Sequence, residues 1–214
     1  MRVGILGSGL MGAKLGTIFA RAGHEVVFSY ARSEQKLRAL AREAKGSARP
    51  GTPREAAREA DALLLAVHWS RVDDVLKQAG DLSGKVIVTC SLPMNAGNTK
   101  LVLAGTSSGA EALARKAPKA RVVSAFNTVP SEVLFGVYAA RRRKLRPSLV
   151  YCGDDARGKT VAAELIRDAG FEPIDAGPLR SARWTEPFAL LVAQLAYEGE
   201  GGPELAYRFE RFGE

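Results

Sequence analysis

Arg2-Val3-Gly4-Ile5-Leu6-Gly7-Ser8-Gly9-Leu10-Met11-Gly12 opens the chain, and one helix length later comes His24-Glu25-Val26-Val27-Phe28-Ser29. A short apolar run feeds straight into G-x-G-x-x-G, and a second β-rich run closes the unit. Between them Met11, Leu15, Ile18, Phe19 and Ala22 recur at i, i+4, i+7, i+8 and i+11, one apolar face at helical period, with Gly23 placed to end the helix. Strand, glycine loop, helix and strand in that order give the glycines a purpose. Gly7 permits the tight turn, Gly9 lets a pyrophosphate approach bare backbone, and Gly12 lets the helix lie close on the strand. The helix N-terminus adds free N–H groups and roughly half a positive charge. The stretch therefore predicts a dinucleotide lying across Gly7, Ser8, Gly9, Leu10, Met11 and Gly12.

The end of the second strand selects the dinucleotide. An NAD site usually carries Asp or Glu there, accepting from the ribose 2′-hydroxyl. This chain reads Phe28-Ser29-Tyr30-Ala31-Arg32-Ser33, with no acid. A 2′-phosphate would be repelled by a carboxylate and is held by a guanidinium and hydroxyls, a charge-assisted bond being worth about 1.5–3 kcal/mol. Ser29, Tyr30, Arg32 and Ser33 thus point to NADP(H). Ser33 also stands where the next helix needs its N-cap.

Of 214 residues, 46% are hydrophobic and 25% charged, the composition of an ordinary globular chain. No apolar run approaches the ~20 residues of a membrane span. The N-terminus enters a strand directly, so neither a signal peptide nor a membrane partner is expected, and a cytoplasmic location follows. Cys90 and Cys152 fall at the ends of expected strands and read as small buried thiols. Neither a metal-ligand spacing nor a nucleophile elbow occurs. The net charge is +8, with the densest run, Arg141-Arg142-Arg143-Lys144 and Arg146, in an expected loop. It lacks the interleaved aromatics and recognition motifs of a nucleic-acid surface, so no nucleic-acid partner is expected.

Strands and helices alternate along the rest. Thr52-Pro53-Arg54-Glu55 and Ser108-x-x-Glu111 read as capping boxes, and Ser70 with Asp73 as another helix start. Ala62–Val67 and Lys85–Cys90 are continuous apolar runs, the mark of parallel strands buried on both faces. Further strands are expected over Arg121–Phe126, Ser148–Cys152 and Phe171–Asp175. The tail over Pro178–Tyr197 reads as helical and interrupted at Pro187. It is apolar nearly all round, so it must cover the cleft or pair with a second copy; a homodimer through this region is expected. The pattern is an α/β, doubly wound parallel sheet of the dinucleotide-binding Rossmann type, one domain over 1–214, with its core in 1–146 and an α/β extension in 147–214 packed over the site.

Ligands in such sheets sit beyond the carboxyl ends of the strands. That brings Val67, His68 and Trp69, then Leu92, then Asn127 and Val129, toward the nicotinamide end. His68 is the candidate catalytic residue, as hydrogen-bonding partner or proton donor; Trp69 suits packing, and His24, at a strand start, suits structure. With no acid–base pair beside the glycine loop, direct hydride transfer in a dry pocket fits best.

Several stretches together resemble one family: Gly7-Ser8-Gly9-Leu10-Met11-Gly12, Val67-His68-Trp69, Val122-Val123-Ser124-Ala125-Phe126-Asn127-Thr128-Val129-Pro130, Tyr151-Cys152-Gly153-Asp154-Asp155 and Asp175-Ala176-Gly177-Pro178-Leu179. They resemble the NADP-dependent oxidoreductases of the deazaflavin coenzyme F420. The ferric reductase domains of a membrane metalloreductase family share the fold and some of these motifs. The resemblance implies hydride exchange between NADP(H) and the deazaflavin, its ring on the nicotinamide beneath the C-terminal helix. Family members often carry Pro where this chain has His68. Reduction of a flavin, ferric chelate or small carbonyl compound, or a non-catalytic NADP sensor, are the other readings.

Overall fold

A computed structural model describes residues 1–213. Its centre is the opening unit: β1 (Arg2–Leu6), α1 (Leu10–Arg21) and β2 (Glu25–Ser29). There follow α2 (Glu34–Ala44), β3 (Ala48–Pro50), α3 (Pro53–Arg58), β4 (Ala62–Leu65), α4 (Val72–Ala79), β5 (Val86–Thr89), α5 (Gly109–Lys116) and β6 (Arg121–Ser124). The chain ends with α6 (Leu134–Ala139), β7 (Ser148–Gly153), α7 (Ala156–Asp168), β8 (Glu172–Asp175) and α8 (Ala182–Tyr197). The eight strands form one sheet in the order β3-β2-β1-β4-β5-β6-β7-β8. The order reverses at β1, whose neighbours are β2 and β4, and a crevice opens there at the strands' carboxyl ends.

Every residue of β4 (ALLL) and β5 (VIVT) is buried. The period of two explains how one run feeds two cores. Ala62 and Leu64 join a cluster with Leu15, Phe19, Leu37 and Ile166 under α1, α2, α6 and α7. Leu63 and Leu65 join Ala56, Val75, Leu113 and Ala182 under α3, α4, α5 and the start of α8. Among the described residues, no helix is long and apolar enough to cross a membrane.

The structure corrects four sequence expectations. The sheet is not parallel throughout: β1 to β6 are, but β7 pairs antiparallel with β6 through Val123–Gly153 and Ser124–Cys152, and β8 runs parallel to β7. The helix between β6 and β7 has only six residues and packs against α1. Alternation of elements reveals a helix but not what it packs on, and the packing sets the direction of the next strand. The tail helix is not broken: α8 runs sixteen residues through Pro187. Its buried face, Ala189, Val192 and Ala196, holds it, and packing overrides the lost backbone bond.

The helix after β4 does not start at Ser70. His68 caps a 3-10 turn over Trp69–Arg71, and α4 starts at Val72. Finally, Ser108 does cap α5, accepting from the Glu111 N–H at 3.2 Å, but Glu111 completes no box. Its carboxylate accepts from Arg183 of α8 at 2.6 and 2.9 Å. The first amides of α5, Gly109 and Ala110, donate instead to Glu186 of α8 at 2.8 and 2.9 Å. Thr52 and Glu55 do form the reciprocal box expected of them.

Candidate active site

At the switch point the glycine loop is tied to β2 and open on its other side. The Gly7 N–H donates to the Ser29 carbonyl at 3.3 Å, the Ser8 N–H to the Tyr30 carbonyl at 3.2 Å, and Ser8 Oγ to the Ser29 carbonyl at 2.9 Å. Gly7 has φ +115°, where a side chain would be strained and a Cβ would overlap the Ala66 carbonyl. A Cβ on Gly12 would overlap the Gly7 carbonyl oxygen, so Gly12 serves the close seating of α1. Gly9 differs: a Cβ there would meet nothing within 4 Å. Its surface faces open space.

Gly9 is also the N-cap of α1 and gives it no side-chain cap, while Ser33, Thr52, Ser108 and Asp155 cap α2, α3, α5 and α7. Unsatisfied helix N–H groups at an open surface form an anion site.

The open space is a groove lined by Gly7, Ser8, Gly9, Leu10, Tyr30, Arg32, Val67 and His68, together with Lys14, Lys36 and Arg71. Among the described residues, Lys14, Arg32, Lys36 and Arg71 take part in no ion pair. Four cations outside any ion pair around a bare helix N-terminus make the groove anion-attracting. Tyr30, in the left-handed region at φ 55°, donates to Asp74 at 2.5 Å. Desolvation first, then that hydrogen bond, pushes its hydroxyl up to about 12. It stays a neutral wall of the groove.

Sequence reasoning missed Lys14, Lys36 and Arg71. Lys14 was findable one turn after Leu10 on the same helix face, and Lys36 one turn after Arg32. Arg71 depends on the fold of the 3-10 turn.

Leu10, 71% exposed, separates this groove from a second, largely apolar pocket and lines both. The second pocket is walled by Met11, Cys90, Leu92, Phe126, Asn127 and Val129 and covered by Ala189, Val192, Ala193 and Tyr197 of α8. Cys90 is partly buried in this wall, and burial pushes its thiol up to about 12. The structure thus brings Met11, Leu92, Asn127 and Val129 together as one wall.

Four other sequence candidates lie elsewhere or serve the frame. Ser29 is fully buried and donates through Oγ to the Ile5 carbonyl at 2.7 Å. Ser33 accepts from the Lys36 N–H as the N-cap of α2. Trp69 packs against the second core cluster. His68 edges the groove with both ring nitrogens engaged: Nδ1 lies 2.9 Å from Ser70 Oγ, and Nε2 lies 3.1 Å from Asn98 Oδ1 and 3.3 Å from the Asn95 carbonyl. His24 is a buried frame residue, 3.0 Å from Asp168.

Residues 2–93 match the family described as NADP oxidoreductase, coenzyme F420-dependent. Among curated proteins, the chain is 32% identical over 189 residues to the metalloreductase STEAP3 of Rattus norvegicus. The match covers 88% of this chain and 36% of that protein's length. Among solved structures, one from Arthrobacter sp. FB24, provisionally assigned as an F420-dependent NADP-reductase, superposes with a TM-score of 0.83 at 23% identity, covering 99% of this chain and 100% of its own. The hypothetical protein SMa0349 of Sinorhizobium meliloti superposes with a TM-score of 0.76 at 26% identity, covering 98% and 96%.

Proposed function

We propose that this chain, whose residues 2–93 match the family described as NADP oxidoreductase, coenzyme F420-dependent, is an NADP(H)-dependent oxidoreductase with a deazaflavin acceptor. The observation that carries the reading is the juxtaposition of the two compartments. A cationic groove at an uncapped helix N-terminus runs, across Leu10, into a roofed apolar pocket. The first suits phosphates, and the second suits a flat conjugated ring.

The residues fit the dinucleotide: the surface at Gly9 is one that a Cβ would fill, and it is empty of protein. The Leu10 and Met11 amides and the α1 dipole would hold the pyrophosphate. Arg32, with Lys36 beside it, would hold the 2′-phosphate. When bound, NADP(H) supplies hydride chemistry. The chain's part is to press two rings face to face and exclude water, through Met11, Leu92, Val129 and the roof of α8. Solvent supplies the proton that completes a two-electron reduction. His68, with its ring nitrogens held by protein groups, orients the 95–98 loop at the groove's edge rather than donating that proton.

The 32% identity to the rat metalloreductase favours a second reading, in which a flavin or ferric chelate takes the electrons. Both readings are separated by mixing the protein with NADPH and either coenzyme F420, FMN or ferric citrate, and following loss of NADPH absorbance. Turnover with F420 and much slower turnover with the other two supports the deazaflavin. Turnover confined to FMN or ferric citrate replaces it with the second reading. Tight NADPH binding with none of the three reduced leaves a non-catalytic sensor.

The outer face of α8 exposes Trp184, Leu191 and Leu195, at the spacing of a helix-pairing seam. We assign it to a homodimer contact, to be checked by light scattering of wild type and Leu191→Arg. A monomeric wild type would end the assignment.

A further inference from the structure

The groove and the pocket are joined by a second link besides Leu10. Lys14 lies one turn along α1 and lines the groove. Its Nζ donates to the Ser131 carbonyl at 2.9 Å and lies 3.3 Å from Ser131 Oγ. Ser131 is buried and belongs to the pocket wall. The next residue, Glu132, accepts from the Tyr197 hydroxyl at 2.9 Å. Tyr197 ends α8 and lines the same pocket. One chain of polar contacts therefore runs from the dinucleotide groove, through the 131–133 turn, to the free end of the roof. Glu132 is charged in this setting: partial burial pushes its carboxyl up, but the Tyr197 hydroxyl, local hydrogen bonds and the Lys14 charge together hold it below the usual range.

Lys14 has a competitor for its partners. A carbonyl and a hydroxyl are neutral acceptors, and a phosphate offers a charge-assisted bond roughly twice as strong. The far end of α8 has no such rival. Glu186 and Arg183 anchor it to α5 through four hydrogen bonds. The helix is thus pinned by hydrogen bonds at its start, while at its end the packing of Val192 and Ala196 is joined by one polar latch, the Tyr197 hydroxyl.

We propose that Lys14, Ser131, Glu132 and Tyr197 form a positioning network that couples the groove to the roof, so that phosphates in the groove draw Lys14 off Ser131, loosen the Glu132–Tyr197 latch and admit the acceptor. The inference rests on the proposed function only in placing a dinucleotide in the groove. It predicts ordered binding, dinucleotide before acceptor, and by linkage a mutual dependence of their affinities.

Cys90, beneath the roof, is a built-in reporter. It is partly buried in the pocket that Ala189, Val192, Ala193 and Tyr197 cover, and burial pushes its thiol up to about 12, so it alkylates slowly while the roof is in place and faster once the roof loosens. Cys152 is fully buried and serves as the control for global unfolding. The probe is 2′-phospho-ADP-ribose, which carries all the phosphates of NADP and no nicotinamide to shield the pocket. Its binding is measured by calorimetry. Cys90 and Cys152 modification by N-ethylmaleimide is followed by mass spectrometry on the same samples.

In wild type the probe should speed Cys90 labelling about threefold or more, with Cys152 unlabelled. In Tyr197→Phe, labelling should be fast without the probe and unchanged by it. In Lys14→Met, where the apolar stem is kept, the probe should still bind, more weakly, and give no acceleration. Binding to wild type with an unchanged or slower Cys90 rate overturns the network and leaves the oxidoreductase reading intact. Equal acceleration in wild type and Lys14→Met does the same. No binding at all overturns both.

Discussion

Gly9 and Gly12 occupy one motif and do opposite work. A Cβ on Gly12 would strike the Gly7 carbonyl, so Gly12→Ala should separate α1 from β1 and destabilise the fold by several kcal/mol, as overpacking at a rigid contact does. A Cβ on Gly9 would meet no protein atom within 4 Å. Gly9→Val should therefore leave the melting temperature within a degree or two and abolish NADPH binding, seen by calorimetry. A fully binding Gly9→Val would remove the phosphate from this loop. Arg32 carries the second residue-scale prediction. Arg32→Ala should weaken NADPH by about 10–100-fold and NADH by less than about twofold, the loss of one charge-assisted bond. An equal loss for both cofactors would sink the 2′-phosphate assignment. Gly9 and Arg32 were legible in the sequence because their chemistry is local. Lys14, Lys36 and Arg71 were less so, because a cation on a helix face looks the same whether it borders a groove or open water.

The roof helix shows what an element adds to its residues. Glu186, 2% exposed, leaves α8 to cap the first two amides of α5. Burial is the main cause that pushes its carboxyl up to about 7, with Glu111 adding to it and the two amides opposing. Because its folded pKa lies above the unfolded one, the folded chain binds more protons between about pH 4.5 and 7, and stability falls as pH rises through that window. The full loss is about 3 kcal/mol on the scale of 1.36 kcal/mol per unit. Thermal melts between pH 5 and 8 should show this decline in wild type and a flatter profile in Glu186→Gln; parallel profiles would assign the decline elsewhere. The sequence reading placed a capping box at Ser108 and Glu111 and a break at Pro187. Both follow correct local rules. The Ser108 cap forms but the box does not, because α8 engages Glu111 through Arg183 and takes the Ala110 amide from 76 residues away; the break fails because packing holds α8 through Pro187.

At the scale of the whole molecule, the end of the chain returns to the site. The Tyr207 hydroxyl lies 2.7 Å from Thr128 Oγ1, between Asn127 and Val129 of the pocket wall, and accepts from the Val150 N–H at 3.1 Å. Its ring stacks edge-on against Phe188 of α8 at 5.0 Å and Phe209 at 5.3 Å. The Tyr207 carbonyl and the Phe209 N–H both bond Ser148 at the start of β7. Tyr207→Phe keeps the stacking and strands two polar partners, and should cost about 1–3 kcal/mol in urea unfolding. Truncation after Gly202 should cost more and raise the acceptor KM while leaving NADPH affinity within about twofold. Nothing in the local sequence of the tail announces this role.

The sequence by itself determined the half of the protein to which the proposed function gives the phosphates. A glycine that must be bare, a helix that must start uncapped and a cation where an acid would repel are properties of neighbours in the chain. The strand periodicity that fills two cores is equally local. The direction of β7, the second cap on α5 from Glu186, the unbroken α8 and the roof and wall of the apolar pocket were decided only by tertiary structure. They join residues far apart in sequence, and such contacts depend on how elements pack rather than on what each segment prefers alone.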